Sequence, residues 1–139
     1  MKKYLVTALA LVLALCACNK NNTEPQKVQT VVGQWQLSSI STKAASIGSE
    51  TVEVYLEFIE GGSFNIYQVI GTGRPRAYSG SWELSDGLLS GKYSDGKKWG
   101  ATYAVSFSGS NLVLTNSSGG ESDTYAPATI PQSVRDEAI

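Results

Sequence analysis

Two thiols, Cys16 and Cys18, are the chain's whole complement of cysteine, and its 139 residues contain no histidine. Both thiols sit in the first 18 residues, behind Lys2 and Lys3 and an apolar run from Tyr4 to Leu15, with the small residue Ala17 just before Cys18. A positive n-region, a short apolar h-region and a small residue before a cut are the parts of a secretory signal. These thiols therefore belong to an export step. Without His, the usual general base and metal ligand are missing downstream. Glu53 and Glu57 share one face of a strand, but that face points outward, so they read as solubilising rather than as an acid–base pair. We assign no catalytic residue, no metal site and no cofactor, and read the chain as a non-enzyme. The side chains left to do chemistry are recognition groups. Arg74 and Arg76 can each present a bidentate fork to a carboxylate or phosphate, and Tyr78, Tyr93, Trp99 and Tyr103 combine aromatic area with polar tips.

The segment Leu15-Cys16-Ala17-Cys18 resembles the bacterial lipobox, in which a Leu, two small residues and a Cys precede lipid attachment and cleavage by the lipoprotein signal peptidase. Cys16 within it departs from that pattern, and an ordinary signal peptide is the plainer alternative. The resemblance implies that residues 1–17 are removed and that Cys18 becomes a thioether, leaving no free thiol and hence no disulfide. From Tyr4 to Cys18 a helix would be about 22 Å long, short of the hydrocarbon core of about 30 Å. Each buried methylene of a palmitate-type chain contributes about 0.8 kcal/mol, and two or three chains on Cys18 hold a protein on a membrane stably. Asn19 is not the aspartate associated with inner-membrane retention, so the expected location is the outer membrane of the cell envelope, on either the periplasmic face or the cell surface.

Eleven basic and twelve acidic residues are present; loss of Lys2 and Lys3 brings the formal charge to −3. That charge provides no basic field for nucleic acid. Removing 17 residues leaves 122, a length suited to one domain with one core. Residues 19–30 are polar and nearly free of apolar side chains, so they read as a flexible tether of roughly 20 Å end to end.

Residues 31–130 follow as one domain of alternating strands. We expect eight: Gly33 to Thr42, Thr51 to Ile59, Ser63 to Ile70, Arg76 to Ser85, Leu88 to Ser94, Trp99 to Ser108, Asn111 to Asn116 and Glu121 to Ala126. Val52, Val54, Leu56 and Phe58 share one face against Glu53, Tyr55 and Glu57 on the other, the period of a half-buried strand. Gly61-Gly62, Asp86-Gly87 and Gly109-Ser110 supply the positive φ that tight hairpins need. Consecutive hairpins make a meander, and a meander of eight strands loses its two exposed edges only by closing. The expected fold is an all-β, eight-stranded antiparallel up-and-down barrel, with residues 131–139 as a tail in which Pro131 leads one helical turn.

Gly33-Gln34-Trp35 at the head of the first strand resembles the Gly-x-Trp signature of lipocalins. The order that follows, Leu56-Glu57-Phe58, Gly61-Gly62-Ser63-Phe64, Tyr78-Ser79-Gly80-Ser81-Trp82 and Asp86-Gly87, is similar to the small lipocalin-like lipoproteins of Gram-negative bacteria. This resemblance implies a calycin-type barrel in which Gly33 and Trp35 are structural, Trp35 plugging the closed end. Larger lipocalins set an Arg over that Trp; the one candidate here is Arg135.

In a meander, alternate connections lie at opposite poles. The tight glycine turns, the tether and the tail are expected at one pole, and the longer connections, residues 41–50, 71–75, 95–98 and 117–120, at the other. The inward bulk of Trp35, Leu37, Phe58, Phe64, Trp82, Phe107 and Leu112 falls toward the tight-turn pole. Toward the loop-rich mouth, Val52, Ile70, Tyr78, Tyr93, Trp99 and Tyr103 point inward. Lys43, Arg74, Arg76, Lys97 and Lys98, facing Glu50, Asp95 and Glu121, ring that mouth; they are either solvated loop charges or an anion-recognising rim. An eight-stranded interior is either filled or holds one small ligand. Two functions fit: a lipid-anchored binder of a small apolar or amphiphilic ligand at Tyr78, Tyr93, Trp99, Tyr103, Arg74 and Arg76, or a filled barrel acting through its loops on a protein partner, as an enzyme inhibitor or a surface-assembly subunit. Tyr55 and Tyr67, on outer faces, are expected to pack across strands.

Overall fold

The computed structural model describes residues 29–40 and 51–139. The export signal, Cys18, most of the tether and the rim residues Lys43 and Glu50 lie outside the described residues.

Eight strands follow one another: β1 (Gly33–Ile40), β2 (Val52–Ile59), β3 (Ser63–Ile70), β4 (Arg76–Ser85), β5 (Leu88–Tyr93), β6 (Tyr103–Ser108), β7 (Asn111–Asn116) and β8 (Ser122–Pro127). Each pairs antiparallel with its sequence neighbour, and β1 pairs with β8, so one sheet closes on itself. Closure removes the two edges that a meander otherwise exposes. The bounds of β3, β4 and β7 coincide with the sequence reading, because alternation there is uninterrupted and each strand is bounded by turn residues. Asp86 (φ 51°) and Gly87 (φ 76°) form the two-residue link from β4 to β5, as their positive dihedrals demand.

The expected strand from Trp99 to Ser108 is shorter: β6 begins at Tyr103. The chain instead turns at Gly96, and Lys97–Trp99 fold back on β5, with the Tyr93 amide donating to the Lys97 carbonyl at 2.8 Å and the Trp99 amide to the Gly91 carbonyl at 2.9 Å. β5 therefore meets β6 over only two residue pairs, Leu88↔Ala104 and Leu89↔Tyr103, whereas β2 meets β3 over eight.

The core is densest at the tight-turn pole. Phe58, Phe64, Leu89 and Leu112 are buried there with Trp35, and Leu37, Trp82 and Phe107 pack against them. Trp35 donates its indole N–H to the Val31 carbonyl at 2.8 Å, and Val31 itself is buried, so the segment entering β1 stoppers this pole.

Beyond β8 the tail leaves the tight-turn pole and runs back along the outside. A short helix, α1 (Gln132–Glu137), starts after Pro131 and brings Ile130 and Val134 onto the cross-strand pair Tyr55 and Tyr67, burying all four. Past α1, the Ile139 amide donates to the Pro75 carbonyl at 3.0 Å, and Ile139 accepts from the Ala77 amide at 3.1 Å, at the loop-rich pole. This corrects the expectation that the tail stays at the tight-turn pole: the apolar spacing of Ile130 and Val134 gives it a face to bury against the sheet. Two roles change with it. Arg135 does not cover Trp35 but holds Glu57 bidentately at 2.9 and 3.1 Å and lies over the Tyr67 ring at 5.7 Å. Glu57 is thus no mere solubilising group; Asn65 and Gln34 also donate to it, at 2.9 and 3.2 Å. Arg135 holds the Glu57 carboxyl below the ordinary carboxylate range against the opposing effect of burial, with Asn65 and Gln34 assisting.

Candidate functional site

Between the packed core and the loop-rich pole lies a cavity of about 130 Å³. Alternation places its walls. Leu56 and Phe58 come from β2, Ile66 from β3, Tyr93 from β5, Tyr103 from β6, Leu114 from β7, and Asp123 and Tyr125 from β8, while Trp99 and Gly100 close the side where β5 and β6 part. The two strands that contribute a pair, β2 and β8, contribute residues two apart, because only every second side chain faces inward.

Trp99 is the most constrained of these. Its ring lies flat over Gly91, its cross-strand neighbour: a Cβ built on Gly91 would stand 2.2 Å from the indole. Glycine here is required by close approach, not by its dihedrals. The same ring meets Phe64 edge-on at 5.0 Å and Tyr103 edge-on at 6.2 Å. Its N–H is buried and has no hydrogen-bond partner among the described residues. A buried donor without an acceptor costs on the order of 1–3 kcal/mol, so native structures rarely leave one unless something else fills the need.

Among the described residues Asp123 is the single charged side chain on the cavity wall. Among the described residues no Lys or Arg forms an ion pair with it; the two such pairs are Lys97 with Asp95 and Arg135 with Glu57. Burial raises the Asp123 carboxyl above its ordinary range, and the Glu121 charge adds to this. Tyr103 and Tyr125 are raised by burial first and by the Asp123 charge second. These phenols keep their protons and can donate or accept hydrogen bonds inside the barrel. Among the described residues, no three metal-ligating side chains converge.

The six ligand-site residues read from the sequence divide three ways. Tyr93, Trp99 and Tyr103 line the cavity. Tyr78 is exposed and lines an open groove of about 490 Å³ with Ile66, Tyr93 and Lys97, its ring edge-on to Tyr93 at 6.4 Å. Arg74 and Arg76 are exposed on a third depression of about 320 Å³, shared with Ile70, Gly73 and Ile139. The groove and the cavity share Ile66 and Tyr93 and so adjoin. The arginines line neither. Sequence reasoning missed Asp123 and Tyr125. The signal was available, since an inward Tyr125 puts Asp123 inward by period two; a carboxylate at the start of a strand reads as a turn residue instead.

Comparison with known proteins adds the following. Residues 31–114 match the family profile of a lipocalin-like domain. No curated protein matches the chain. Among solved structures, a mutant of the fluorescent protein UnaG is similar over 72% of this chain and 97% of its own, at 17% identity and a TM-score of 0.41. A second, the REP1-NXSQ fatty acid transporter, is similar over 72% of this chain and 97% of its own, at 12% identity and a TM-score of 0.39.

Proposed function

This chain belongs to the lipocalin-like domain family, and from that premise we propose that it binds a small apolar or amphiphilic ligand in the mouth half of its barrel while held on a membrane through Cys18. The observation that carries the binding reading is the cavity itself. An eight-stranded barrel can fill its interior with side chains, and this one does so at the tight-turn pole; at the other it keeps about 130 Å³ lined mainly by aromatic and apolar side chains. Apolar walls with few, placed polar groups are the usual make-up of a ligand site. The cavity is smaller than the roughly 300 Å³ at which drug-sized sites begin. A ligand therefore seats one compact group inside and lays the remainder in the adjoining groove across Ile66 and Tyr93. The anchoring reading is supported by the signal-like residues 1–18 and places the protein at the outer membrane.

Native mass spectrometry and Trp99 emission, isolated by difference from Trp99→Phe, test the binding reading across fatty acids, sterols and long-chain amines. Saturable quenching by at least one member is expected; silence from the whole panel defeats the reading. For the anchor, Cys18→Ser should move the protein from the detergent phase to the aqueous phase, and continued detergent partitioning would reject acylation at that residue.

A further inference from the structure

The charge inside the cavity has a sign, and the sign selects a ligand. We propose that the group seated in the barrel is a small organic ammonium, held by Asp123 and the aromatic wall; this rests on the ligand-binding reading above.

Two features converge on it. Among the described residues Asp123 is the one charged residue on the wall, and no described cation neutralises it. Its side chain is partly buried, and a partly desolvated carboxylate without a partner gains by taking up a positive one. Second, Tyr93, Trp99, Tyr103 and Tyr125 surround the space beside Asp123. Aromatic walls attract a cation through the negative faces of their rings, and the attraction grows once water is excluded. Size agrees with this. A volume of about 130 Å³ lies well below the roughly 300 Å³ at which drug-sized sites begin, which suits a compact head group and not a long acyl chain.

An anionic head is disfavoured by the same arrangement. A carboxylate entering the cavity would face Asp123 with no basic residue among the described lining residues to offset the repulsion. The arginines expected from the sequence to hold an anion lie on a different depression.

The experiment compares octylammonium and octanoate, equal in tail and both used below micelle formation, by titration calorimetry against the full mature domain and its Asp123→Asn variant. Octanoate is expected to bind at least tenfold more weakly than octylammonium. In Asp123→Asn the preference for the amine over octanoate should vanish. Octanoate binding as tightly as the amine, or a preference that survives Asp123→Asn, overturns the inference while leaving ligand binding intact. Silence from both, with a fatty acid or sterol from the wider panel bound, also overturns it; silence from every compound defeats the ligand-binding reading itself. Should Asp123→Asn fail to fold, the wild-type protein still decides: tetramethylammonium chloride should alter Trp99 emission where sodium chloride at equal ionic strength does not, and identical responses count against the proposal.

Discussion

Gly91→Ala isolates the element that shapes the cavity. A methyl group at Gly91 would stand 2.2 Å from Cε2, 2.4 Å from Cζ2 and 2.7 Å from Cδ2 of Trp99, too close for any contact, so the ring must swing away. Leaving, it forfeits its edge-on contacts with Phe64 at 5.0 Å and Tyr103 at 6.2 Å. Each such contact contributes about 0.5–1.5 kcal/mol beyond area burial, and the indole's lost burial adds about 1–2 kcal/mol. Alanine returns about 0.5 kcal/mol of backbone entropy in a strand. The net destabilisation is about 2–3 kcal/mol, which for a domain of about 100 residues lowers Tm by roughly 10 °C. The assay is a double-mutant cycle with Trp99→Ala, read by thermal melts and by Trp emission. Gly91→Ala should red-shift the emission and cost about 2–3 kcal/mol in the wild-type background, yet be close to neutral once Trp99 is alanine. An equal cost in both backgrounds would refute the argument, because the loss would then arise from the strand and not from the displaced ring.

Two further outcomes follow from the outer face and the turns. Arg135→Ala should cost about 2 kcal/mol at neutral pH, less than the 3–5 kcal/mol of a fully buried pair, since the Arg135 and Glu57 side chains keep 25% and 14% of their exposure. Glu57 titrates lower in the folded protein than in the unfolded chain, so its contribution is present above the unfolded value of about 4.3 and fades as pH falls through the folded one. The stability gap between wild type and Arg135→Ala should therefore narrow below about pH 4 in urea melts, and a constant gap down to pH 3 would contradict the role given to the pair. Gly87→Val meets no neighbouring atom, so its cost is the left-handed backbone alone, φ 76°. That is about 1–2 kcal/mol, a Tm lower by at least 4 °C, and an unchanged melting temperature would overturn the turn geometry.

What could be read from the sequence was whatever depends on near neighbours. Alternation across Val52 to Phe58 and the glycine turns are local, and they place the strands, their order and the two poles. The closure of β1 on β8 was legible because an open meander would leave edges unsatisfied. What escaped depends on partners far apart. Arg135 and Glu57 are separated by 78 positions, and nothing in either segment names the other; the helix that joins them is visible in sequence only as Pro131 followed by Val134. Trp99 was misplaced for a different reason. An aromatic residue ahead of Thr102-Tyr103-Ala104-Val105 extends a strand pattern, and only the fit of its ring onto Gly91 shows that the chain has folded back first. The predicted site is split as well, since Arg74 in the β3–β4 connection and Arg76 and Tyr78 at the start of β4 are exposed while β8 sends Asp123 in.

The cavity also sits where the sheet is least complete, and the physics of closure explains why those two facts go together. A barrel sealed by main-chain hydrogen bonds on every side needs no aromatic plug; here β5 and β6 share two residue pairs, and Trp99 with Lys97 and Lys98 occupies the remainder of the seam. Opening that seam breaks fewer backbone hydrogen bonds than opening any fully laddered pair, such as β2 with β3, and low-cost local opening is where binding regions are usually found. A filled interior would not require this. Had the barrel served only to display loops, the gap left by β6 starting late could have been closed by extending the strand through residues 99–102, with the backbone donors paired and no orphaned indole. Instead the sequence spends a glycine at position 91 to admit a large ring across that seam, and the interior beside the ring stays open.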